Sequence, residues 1–467
     1  MTNNHPQNSN QKRPSRRLVE YRASLVGVGI LLLLFFGIAI FLIVFPRSTK
    51  SDIEKRELAK FPAFSFQTYF SGEFTADIAT FYDDTVPYRD NFKNMSNNLK
   101  GLFGIQSNNQ AVIIGTPVKT VNNDPISSEG DAVSSEQTSS VTIAEQEPDQ
   151  TDFTKETADG EISPENGMLI VNLDGHWRGL ELFGGGTGNN YVNALNKLRD
   201  KVDSKVKIYS MIAPMASEFY TPSNFSQYNS SQADCFASIA GRLKDGITSV
   251  DCLSAMQKHT EEDIYCRTDH HWQPLGAYYA ARTFAEAAGV PFADLDKDYT
   301  KKETEGFVGT LYAFSSDSRL LNDPETFTYY EPKASYSTYY YDTGFHFQEK
   351  GELLVEVDTT NSYLRFLGGD EQCAKIKTNV NNGRKLLVIK DSYGNAEIPF
   401  YTSSFAEIYV IDMRYFECNL VDFIDRMDIT DVLFTMASYS AVGENAKNID
   451  NLITQNSGEA ITDDATD

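Results

Sequence analysis

Short apolar segments alternate with amphipathic ones through residues 167–455, and this alternation limits what the chain can fold into. Segments such as 386–389 are apolar at every position, which is typical of strands buried on both faces of a sheet. Helical patterns between such segments favour parallel strands joined by crossover helices. We therefore predict an α/β sandwich with a mostly parallel sheet. Predicted strands are 168–172, 206–212, 264–266, 386–389, 408–411 and 432–435, and predicted helices are 191–202, 233–243, 274–287 and 420–427.

Residues 300–379 depart from this pattern. They are rich in aromatic residues, including the tyrosines at 329–330 and 339–341, and this composition is typical of strands. We expect an inserted β-rich lobe or hairpin. Clustered tyrosines more often pack a small sheet than bind ligand. The alternative is a sugar-binding surface, because a tyrosine combines an apolar ring with a polar tip.

Residues 25–45 are uncharged and almost wholly apolar. A helix of this length crosses a hydrocarbon layer of roughly 30 Å. The run is longer than the apolar core of a cleaved signal peptide, about 7–15 residues, and Phe45-Pro46-Arg47 offers no small-residue cleavage site. We therefore predict one transmembrane span, with the basic residues 1–24 in the cytoplasm and the main domain outside.

Charge and composition outside the predicted core narrow the function further. A formal net charge of −24 argues against a nucleic acid partner. Residues 116–166 and 456–467 are acidic and poor in large apolar residues, so we predict that both segments are disordered. The segment 46–115 carries apolar residues at helical spacing from 74 to 102, as at 74, 78, 81 and 82, which predicts one or two amphipathic helices. The five cysteines lack C-x-x-C pairing and do not fit a zinc knuckle.

Two polar segments far apart in the chain carry complementary chemistry. The apolar run 386–389 leads into Asp391-Ser392, which puts a serine at the carboxyl end of a predicted strand. The segment Asp269-His270-His271 supplies a histidine that takes a serine proton and a carboxylate that orients the histidine. Open α/β sheets bind ligands at the carboxyl edge of their strands. Acyl transfer through Ser392 is therefore the leading hypothesis.

Each half of this constellation also has a plain structural interpretation. Thr268 or Asp269 is a suitable helix cap, and the serine turn lacks the Gly-x-Ser-x-Gly elbow of common hydrolases. Adjacent side chains point in different directions, so spacing does not choose between His270 and His271 as the base. A metal site formed by Asp269 and both histidines is a weaker hypothesis, because such close neighbours need distant help to complete a tetrahedral site.

The segment Thr268–Ala277 resembles the signature of the bacterial DHHW proteins and of the related SGNH-hydrolase-like alginate O-acetyltransferases, in which Asp-x-His-Trp precedes a later serine. Pro87-Tyr88-Arg89-Asp90, Gly309-Thr310-Leu311 and Asp412-x-Arg414 are similar to segments of the same proteins. The resemblance covers nearly all of the chain after the predicted span except the acidic insertion. It implies a three-layer SGNH-hydrolase-like sandwich with circularly permuted motif order.

Carried over position by position, the resemblance implies Ser392 as nucleophile, His271 as base and Asp269 as the residue that orients the base. It implies a membrane-anchored, extracytoplasmic O-acetyltransferase or acetylesterase that acts on a cell-surface polysaccharide. A membrane-embedded partner would supply the acetyl groups, and no organic cofactor or metal is required. The alternative is a catalytically inert protein that binds the surface polymer or acts as a scaffold in an export or modification complex.

The remaining site residues follow from the same resemblance and from the needs of acyl chemistry. His270 is expected to be a bystander or to support the base, and Trp272 is expected to support the site as well. Donors for the oxyanion must lie near the developing negative oxygen, so the Ser392 N–H with Gly394 or Asn395 is expected to supply them. The block Lys-Asp-Ser-Tyr differs from the Gly-Asp-Ser of simple esterases, which leaves the oxyanion hole the least defined part of the site.

Overall fold

The computed structural model describes residues 167–370 and 372–456, and before them 60–71, 73–88, 111–114 and scattered positions from 29 to 57. The chain divides into two compact units, Met1–Phe103 and Gly104–Asp467. Among the described residues, no helix combines the length and hydropathy needed to cross a membrane. Most of the predicted span 25–45 and all of the predicted disordered segment 116–166 lie outside the described residues, so both stay predictions.

Besides helical positions between 29 and 44, the described residues of the first unit form a pair of short strands and two helices: β1 (Lys50–Ser51), β2 (Arg56–Glu57), α1 (Phe66–Ser71) and α2 (Glu73–Asp84). Strands β1 and β2 are antiparallel. Phe74, Ile78 and Phe81 are the half-buried apolar positions of α2, and their helical spacing confirms the predicted amphipathic helix near 74–82. Phe81 packs edge-on against Phe61 with ring centroids 5.2 Å apart.

The second unit carries the predicted site. Its strands are β3 (Ala111–Ile114), β4 (Met168–Leu173), β5 (His176–Glu181), β6 (Lys207–Ala213), β7 (Ile247–Ser249), β8 (Tyr299–Phe307), β9 (Glu325–Pro332), β10 (Tyr336–Tyr341), β11 (Phe347–Gly351), β12 (Cys373–Thr378), β13 (Lys385–Lys390), β14 (Glu407–Asp412) and β15 (Asp431–Ala437). Its α-helices are α3 (Asn189–Lys201), α4 (Ala216–Tyr220), α5 (Gln232–Ala240), α6 (Cys252–Met256), α7 (Pro274–Ala288), α8 (Leu295–Asp298), α9 (Thr310–Ser315), α10 (Ser318–Leu321), α11 (Leu420–Arg426), α12 (Ser438–Val442) and α13 (Ala446–Thr454). Segments of 3₁₀ helix cover Ser223–Tyr228, Gln257–His259, Thr359–Arg365 and Ser392–Tyr401.

An eight-stranded sheet forms the centre of this unit, in the order β11-β10-β12-β14-β13-β15-β6-β7. The strands from β14 to β7 in this order are parallel, and Val388 of β13 pairs with Val410 on one side and with Leu433 on the other. Side chains alternate between two apolar layers: Val388 faces the layer that contains α7, and Leu387 faces the layer that contains α3, α11 and α13. The predicted α/β fold with a mostly parallel sheet is confirmed.

Residues 300–379 are β-rich, as predicted, and their strands divide between two sheets. Strands β10, β11 and β12 extend the main sheet through antiparallel pairing, because β12 pairs with the edge of β14. Strands β8 and β9 pair with each other as a sheet of their own. Tyr339, Tyr340 and Tyr341 are 4%, 4% and 0% exposed, so these rings pack the core and do not offer a sugar-binding surface.

Two predicted strands lie outside the main sheet. Strand β4 pairs with β3 and β5 in a three-stranded antiparallel sheet. The predicted strand at 264–266 is wrong, because Tyr265 makes an isolated bridge with Trp272 and no ladder extends from it within the described residues. The residues at these positions are nevertheless buried: Ile264, Tyr265 and Cys266. They are apolar because they pack a buried loop.

Candidate active site

The serine predicted as nucleophile lies just beyond the end of β13, at the carboxyl edge of the parallel strands. Asp391 caps the 3₁₀ helix that begins at Ser392, because its Oδ1 accepts the Tyr393 N–H at 3.0 Å. Its Oδ2 accepts the N–H of Ala437, the last residue of β15, also at 3.0 Å. Burial raises the pKa of Asp391. Asp391 therefore ties the serine turn to the neighbouring strand.

A second buried acid, Glu325, holds the loop that carries the histidines. The Arg267 N–H lies 2.9 and 2.8 Å from its two carboxyl oxygens. Its Oε1 also accepts the N–H and the hydroxyl of Thr268, at 2.7 and 2.6 Å. Burial raises the pKa of Glu325. Nothing in the sequence marks Glu325 as part of the site. Its partners lie far away in the chain, and its sequence neighbours at the start of β9 look like those at any strand end.

Asp269, His271 and Ser392 form one hydrogen-bonded set. Nε2 of His271 lies 2.9 Å from Oγ of Ser392, and Nδ1 lies 2.7 Å from Oδ1 of Asp269. The Asp269 carboxylate also accepts the His271 N–H at 3.0 Å and the Thr310 N–H at 2.8 Å. Asp269, His271 and Ser392 are 4%, 6% and 8% exposed, so bulk water competes little for these contacts. The fold thus brings together residues that lie 121 positions apart.

The charge of Asp269 determines which nitrogen of His271 carries the hydrogen. Burial opposes ionisation of this carboxyl, but His271, His270 and the Thr310 N–H together outweigh burial and hold the pKa of Asp269 well below its usual range. Ionised Asp269 accepts a hydrogen bond, so Nδ1 of His271 is the donor. Nε2 is then an acceptor for the Ser392 hydroxyl, which is the tautomer that a general base requires.

Gly309 allows the Asp269 carboxylate to lie against the start of α9. A Cβ added at Gly309 would lie 2.3 Å from both Cβ and Oδ2 of Asp269. No other residue type leaves this space, because every other side chain begins with a Cβ. The segment Gly309-Thr310-Leu311, part of the family resemblance, therefore has a structural role: Gly309 makes room for the carboxylate and Thr310 donates to it.

His270 lies beside His271 but makes a different set of contacts. The two ring centroids are 3.8 Å apart, and Nδ1 of His270 is hydrogen-bonded to the Thr310 hydroxyl. That hydroxyl oxygen lies 3.0 Å from Oδ2 of Asp269. Burial and the neighbouring His271 lower the pKa of His270 to about 3, so its ring is neutral at pH 7. Spacing left the choice of base open, and the geometry favours His271.

Two aromatic side chains hold the base and the serine turn in place. The Tyr363 ring stacks on the His271 imidazole with centroids 3.6 Å apart and 7° between the planes. Its hydroxyl oxygen lies 3.0 Å from the carbonyl oxygens of Ser392 and Tyr393. Nε1 of Trp272 donates to the Tyr393 carbonyl at 3.1 Å. Trp272 thus lies where a supporting residue is expected, whereas sequence analysis missed Tyr363, one tyrosine among many in residues 300–379.

The Gly394 N–H and the Asn395 side-chain amide, both predicted as oxyanion donors, already donate hydrogen bonds to other groups. The Gly394 N–H donates to the Asp391 carbonyl at 3.2 Å, and Nδ2 of Asn395 donates to Oδ1 of Asp370 at 2.7 Å. A Cβ at Gly394 would lie 2.5 Å from Cβ of Lys390, so close packing also requires glycine there. An oxyanion role for Gly394 or Asn395 stays a prediction.

A buried charge network joins the ends of β13 and β14 beside the serine turn. Nζ of Lys390 lies 2.9 Å from Oδ1 of Asp370 and 2.9 Å from Oδ2 of Asp412. Arg414 contacts the same two carboxylates, at 3.0 and 2.7 Å. Burial opposes ionisation of Asp370, but Lys390 and Arg414 outweigh burial and hold its pKa well below the usual range. Two cations thus neutralise two carboxylates next to Ser392, and Asp412-x-Arg414 supplies half of the network.

Asp269, His270 and His271 each offer a metal-ligand atom, and these atoms lie within 4.8 Å of one another. In the structure, however, Nδ1 of His271 is bonded to Asp269 and Nδ1 of His270 to Thr310. A metal held by the same atoms would displace those hydrogen bonds. The arrangement fits proton transfer better than metal coordination.

Comparisons with known proteins agree on a family. The sequence model described as DHHW protein matches residues 54–174 and 147–411. A crystal structure of a DHHW family protein from Eubacterium siraeum is 48% identical to this chain, covers 63% of it and 98% of its own length, and has a TM-score of 0.60. A search of curated proteins found no match.

More distant solved structures also match part of the chain. PatB1 from Bacillus cereus is 19% identical and covers 60% of this chain and 99% of its own, with a TM-score of 0.48. The O-acetyltransferase domain of AlgJ from Pseudomonas putida is 13% identical and covers 60% of this chain and 98% of its own, with a TM-score of 0.34. The family match spans more than half of the chain, and the chain therefore belongs to the DHHW family.

Proposed function

We propose that this protein is a serine acyltransferase or esterase in which Ser392 carries the acyl group. The observation that supports this proposal most strongly is the pair of contacts made by His271, at 2.9 Å to Ser392 and 2.7 Å to Asp269. A buried carboxylate, an imidazole and a hydroxyl in this order form the arrangement that activates a serine. The proposed substrate is an acetyl ester.

Each step of the proposed reaction uses a group that is already in place. Oγ of Ser392 attacks the acetyl carbonyl while Nε2 of His271 takes its proton, and the donor's alcohol then leaves with that proton. A sugar hydroxyl or water next attacks acetyl-Ser392, giving its proton to His271, which returns it to Ser392 as the serine leaves. Asp269 stabilises the imidazolium in both steps. Transfer and hydrolysis differ in the acceptor alone.

The setting of the reaction is part of the proposal. Residues 25–45 would anchor the chain in a membrane, with residues 1–24 in the cytoplasm and the second unit outside, where a cell-surface polysaccharide is available. The acetyl donor in this setting would be a membrane-embedded acyltransferase partner. The acetyl group then passes from donor to polymer when a hydroxyl group of the polymer reaches acetyl-Ser392.

Labelling with a fluorophosphonate tests the assignment of the nucleophile. The wild-type protein should be labelled, Ser392→Ala should not, and Ser254→Ala, which changes an exposed serine on α6, should be labelled like wild type. Loss of labelling in Ser392→Ala with an unchanged melting temperature supports an enzyme. A folded wild-type protein that takes no label favours the inert polymer-binding alternative.

A further inference from the structure

An open groove of about 450 Å³ that the proposed mechanism does not use lies on the second unit. It is lined by Tyr341, Asp342, Thr343, Gln348, Gln372 and Tyr415. These residues come from the end of β10, the start of β11, the approach to β12 and the turn after β14. The groove therefore lies at the edge of the main sheet where strand β14 ends. The neighbouring parallel strand β13 ends at the same edge, just before the serine turn.

Short contacts connect this groove to the serine turn. Tyr415 directly follows Arg414, whose guanidinium lies 3.0 Å from Oδ2 of Asp370. Asp370 in turn accepts the side-chain amide of Asn395 at 2.7 Å, within the 3₁₀ helix that begins at Ser392. Asn395, Asp370 and Arg414 thus form a chain of contacts from the serine turn to Tyr415 in the groove lining. A polymer long enough to follow this chain would place one unit at Ser392 and another in the groove.

The lining of the groove has the chemistry that recognises a sugar. Tyr415 is 39% exposed and offers the face of an aromatic ring, which suits the C–H face of a pyranose. The exposed amides of Gln348 and Gln372 offer both donors and acceptors to hydroxyl groups. Nε2 of Gln348 donates to Oδ2 of Asp342 at 3.3 Å, which fixes the position of that amide.

Charge decides which class of sugar fits. Among the described residues, the groove lining holds one carboxylate, Asp342, and no Lys, Arg or His side chain. Arg414 lies over the Tyr415 ring, with Cζ 5.3 Å from the ring centroid, and its charge is already paired with Asp412 and Asp370. The chain as a whole carries a formal charge of −24, which repels a polyanion. An uncharged hexose or N-acetylhexosamine therefore fits this groove better than a uronic acid does.

We propose that this groove binds an uncharged sugar unit of the polysaccharide, with Tyr415 as the stacking ring and Gln372 as a hydrogen-bonding residue. The inference deepens the proposed function and rests on it for the link to acyl transfer. Tyr339, Tyr340 and Tyr341 are among the tyrosines that the sequence suggested for sugar binding, and they are buried, whereas Tyr415 in the groove lining is 39% exposed.

Binding measured by calorimetry in the Ser392→Ala background tests the groove without any need for turnover. The probes are oligomers of glucose, mannose, galactose and N-acetylglucosamine, with oligogalacturonate as the charged comparison. At least one uncharged oligomer should bind. Tyr415→Ala should weaken it about tenfold, a change of roughly 1.4 kcal/mol, and Gln372→Ala should weaken it as well. Tyr415→Phe, which keeps the ring, and Gln257→Ala, which removes an exposed amide elsewhere, should bind like the parent.

The proposal is overturned if no uncharged oligomer binds, if oligogalacturonate alone binds, or if Tyr415→Ala and Gln372→Ala bind like the parent. These results are separate from those that bear on the nucleophile. If the wild-type protein and Ser392→Ala turn over para-nitrophenyl acetate equally, the proposed function fails while the groove can still bind sugar. If Ser392→Ala abolishes turnover and the panel shows no binding, the groove fails while the nucleophile stands.

Discussion

Gly309→Ala tests whether the position of Asp269 controls the site. The added Cβ would lie 2.3 Å from Oδ2 of Asp269, whereas ordinary contact begins at 3.4 Å, so the carboxylate must move by about 1.1 Å. That movement takes Oδ2 from 2.8 Å to beyond hydrogen-bonding reach of the Thr310 N–H, and it displaces the partner of His271.

The expected magnitudes follow from that displacement. A misplacement of about 1 Å near a catalytic group costs on the order of 100-fold in rate, and overpacking costs about 1–3 kcal/mol in the free energy of unfolding. We therefore expect kcat/KM for para-nitrophenyl acetate to fall by about 100-fold in Gly309→Ala at a temperature where the variant is still folded.

The matched control is Gly241→Ala, at the end of α5. Its added Cβ would meet the nearest atom at 3.4 Å, and its backbone has ordinary helical angles, so we expect activity within about twofold of wild type. Thermal unfolding would be measured for both variants. A Gly309→Ala protein with wild-type kcat/KM would refute the argument that the contact between Gly309 and Asp269 positions the base.

Three further predictions concern single side chains. His271→Ala should abolish turnover of para-nitrophenyl acetate while His270→Ala largely retains it, because Nε2 of His271 lies 2.9 Å from Oγ of Ser392. Equal losses in kcat would contradict this choice of base. Lys390→Met should lower the free energy of unfolding by about 3–5 kcal/mol in chemical denaturation, because it leaves buried carboxylates short of a cation; a loss under 1 kcal/mol would show that the network contributes little. Burial raises the pKa of Glu397 from 4.5 to about 8. Between these pH values the folded state keeps a proton that the unfolded state has released. The free energy of unfolding therefore falls as the pH rises from about 4.5 to about 8, by at most about 1.4 kcal/mol per pH unit. Glu397→Gln should flatten that slope in unfolding curves recorded from pH 5 to pH 8, and an unchanged slope would rule out Glu397 as its source.

The local pattern of the sequence predicted the buried strands of the main sheet and the position of Ser392 at a strand end. The apolar runs at 386–389, 408–411 and 432–435 became β13, β14 and β15 with ends extended by one or two residues, because strands buried on both faces must be apolar throughout. Ser392 was predicted at a strand end for the same reason. The run at 264–266 shows the limit of this reasoning, since a buried loop needs apolar residues as much as a strand does.

The parts that sequence could not supply depend on contacts between distant segments. Glu325, Tyr363 and Asp370 each support the site from a separate element, and nothing in their immediate neighbours marks them. The antiparallel edge of the main sheet is a similar case, because the pairing of β12 with β14 is decided by which strand edge is free. The choice between His270 and His271 needed the direction of each ring, which spacing alone does not give.

The central claim is that Ser392, with His271 as its base, becomes acylated. Mass spectrometry of the protein quenched in acid after brief exposure to para-nitrophenyl acetate measures this directly. The account predicts one added acetyl group on the peptide that contains Ser392, and none on that peptide in His271→Ala. Acetylation confined to lysines or to another serine, with the Ser392 peptide unmodified in active wild-type protein, would contradict it.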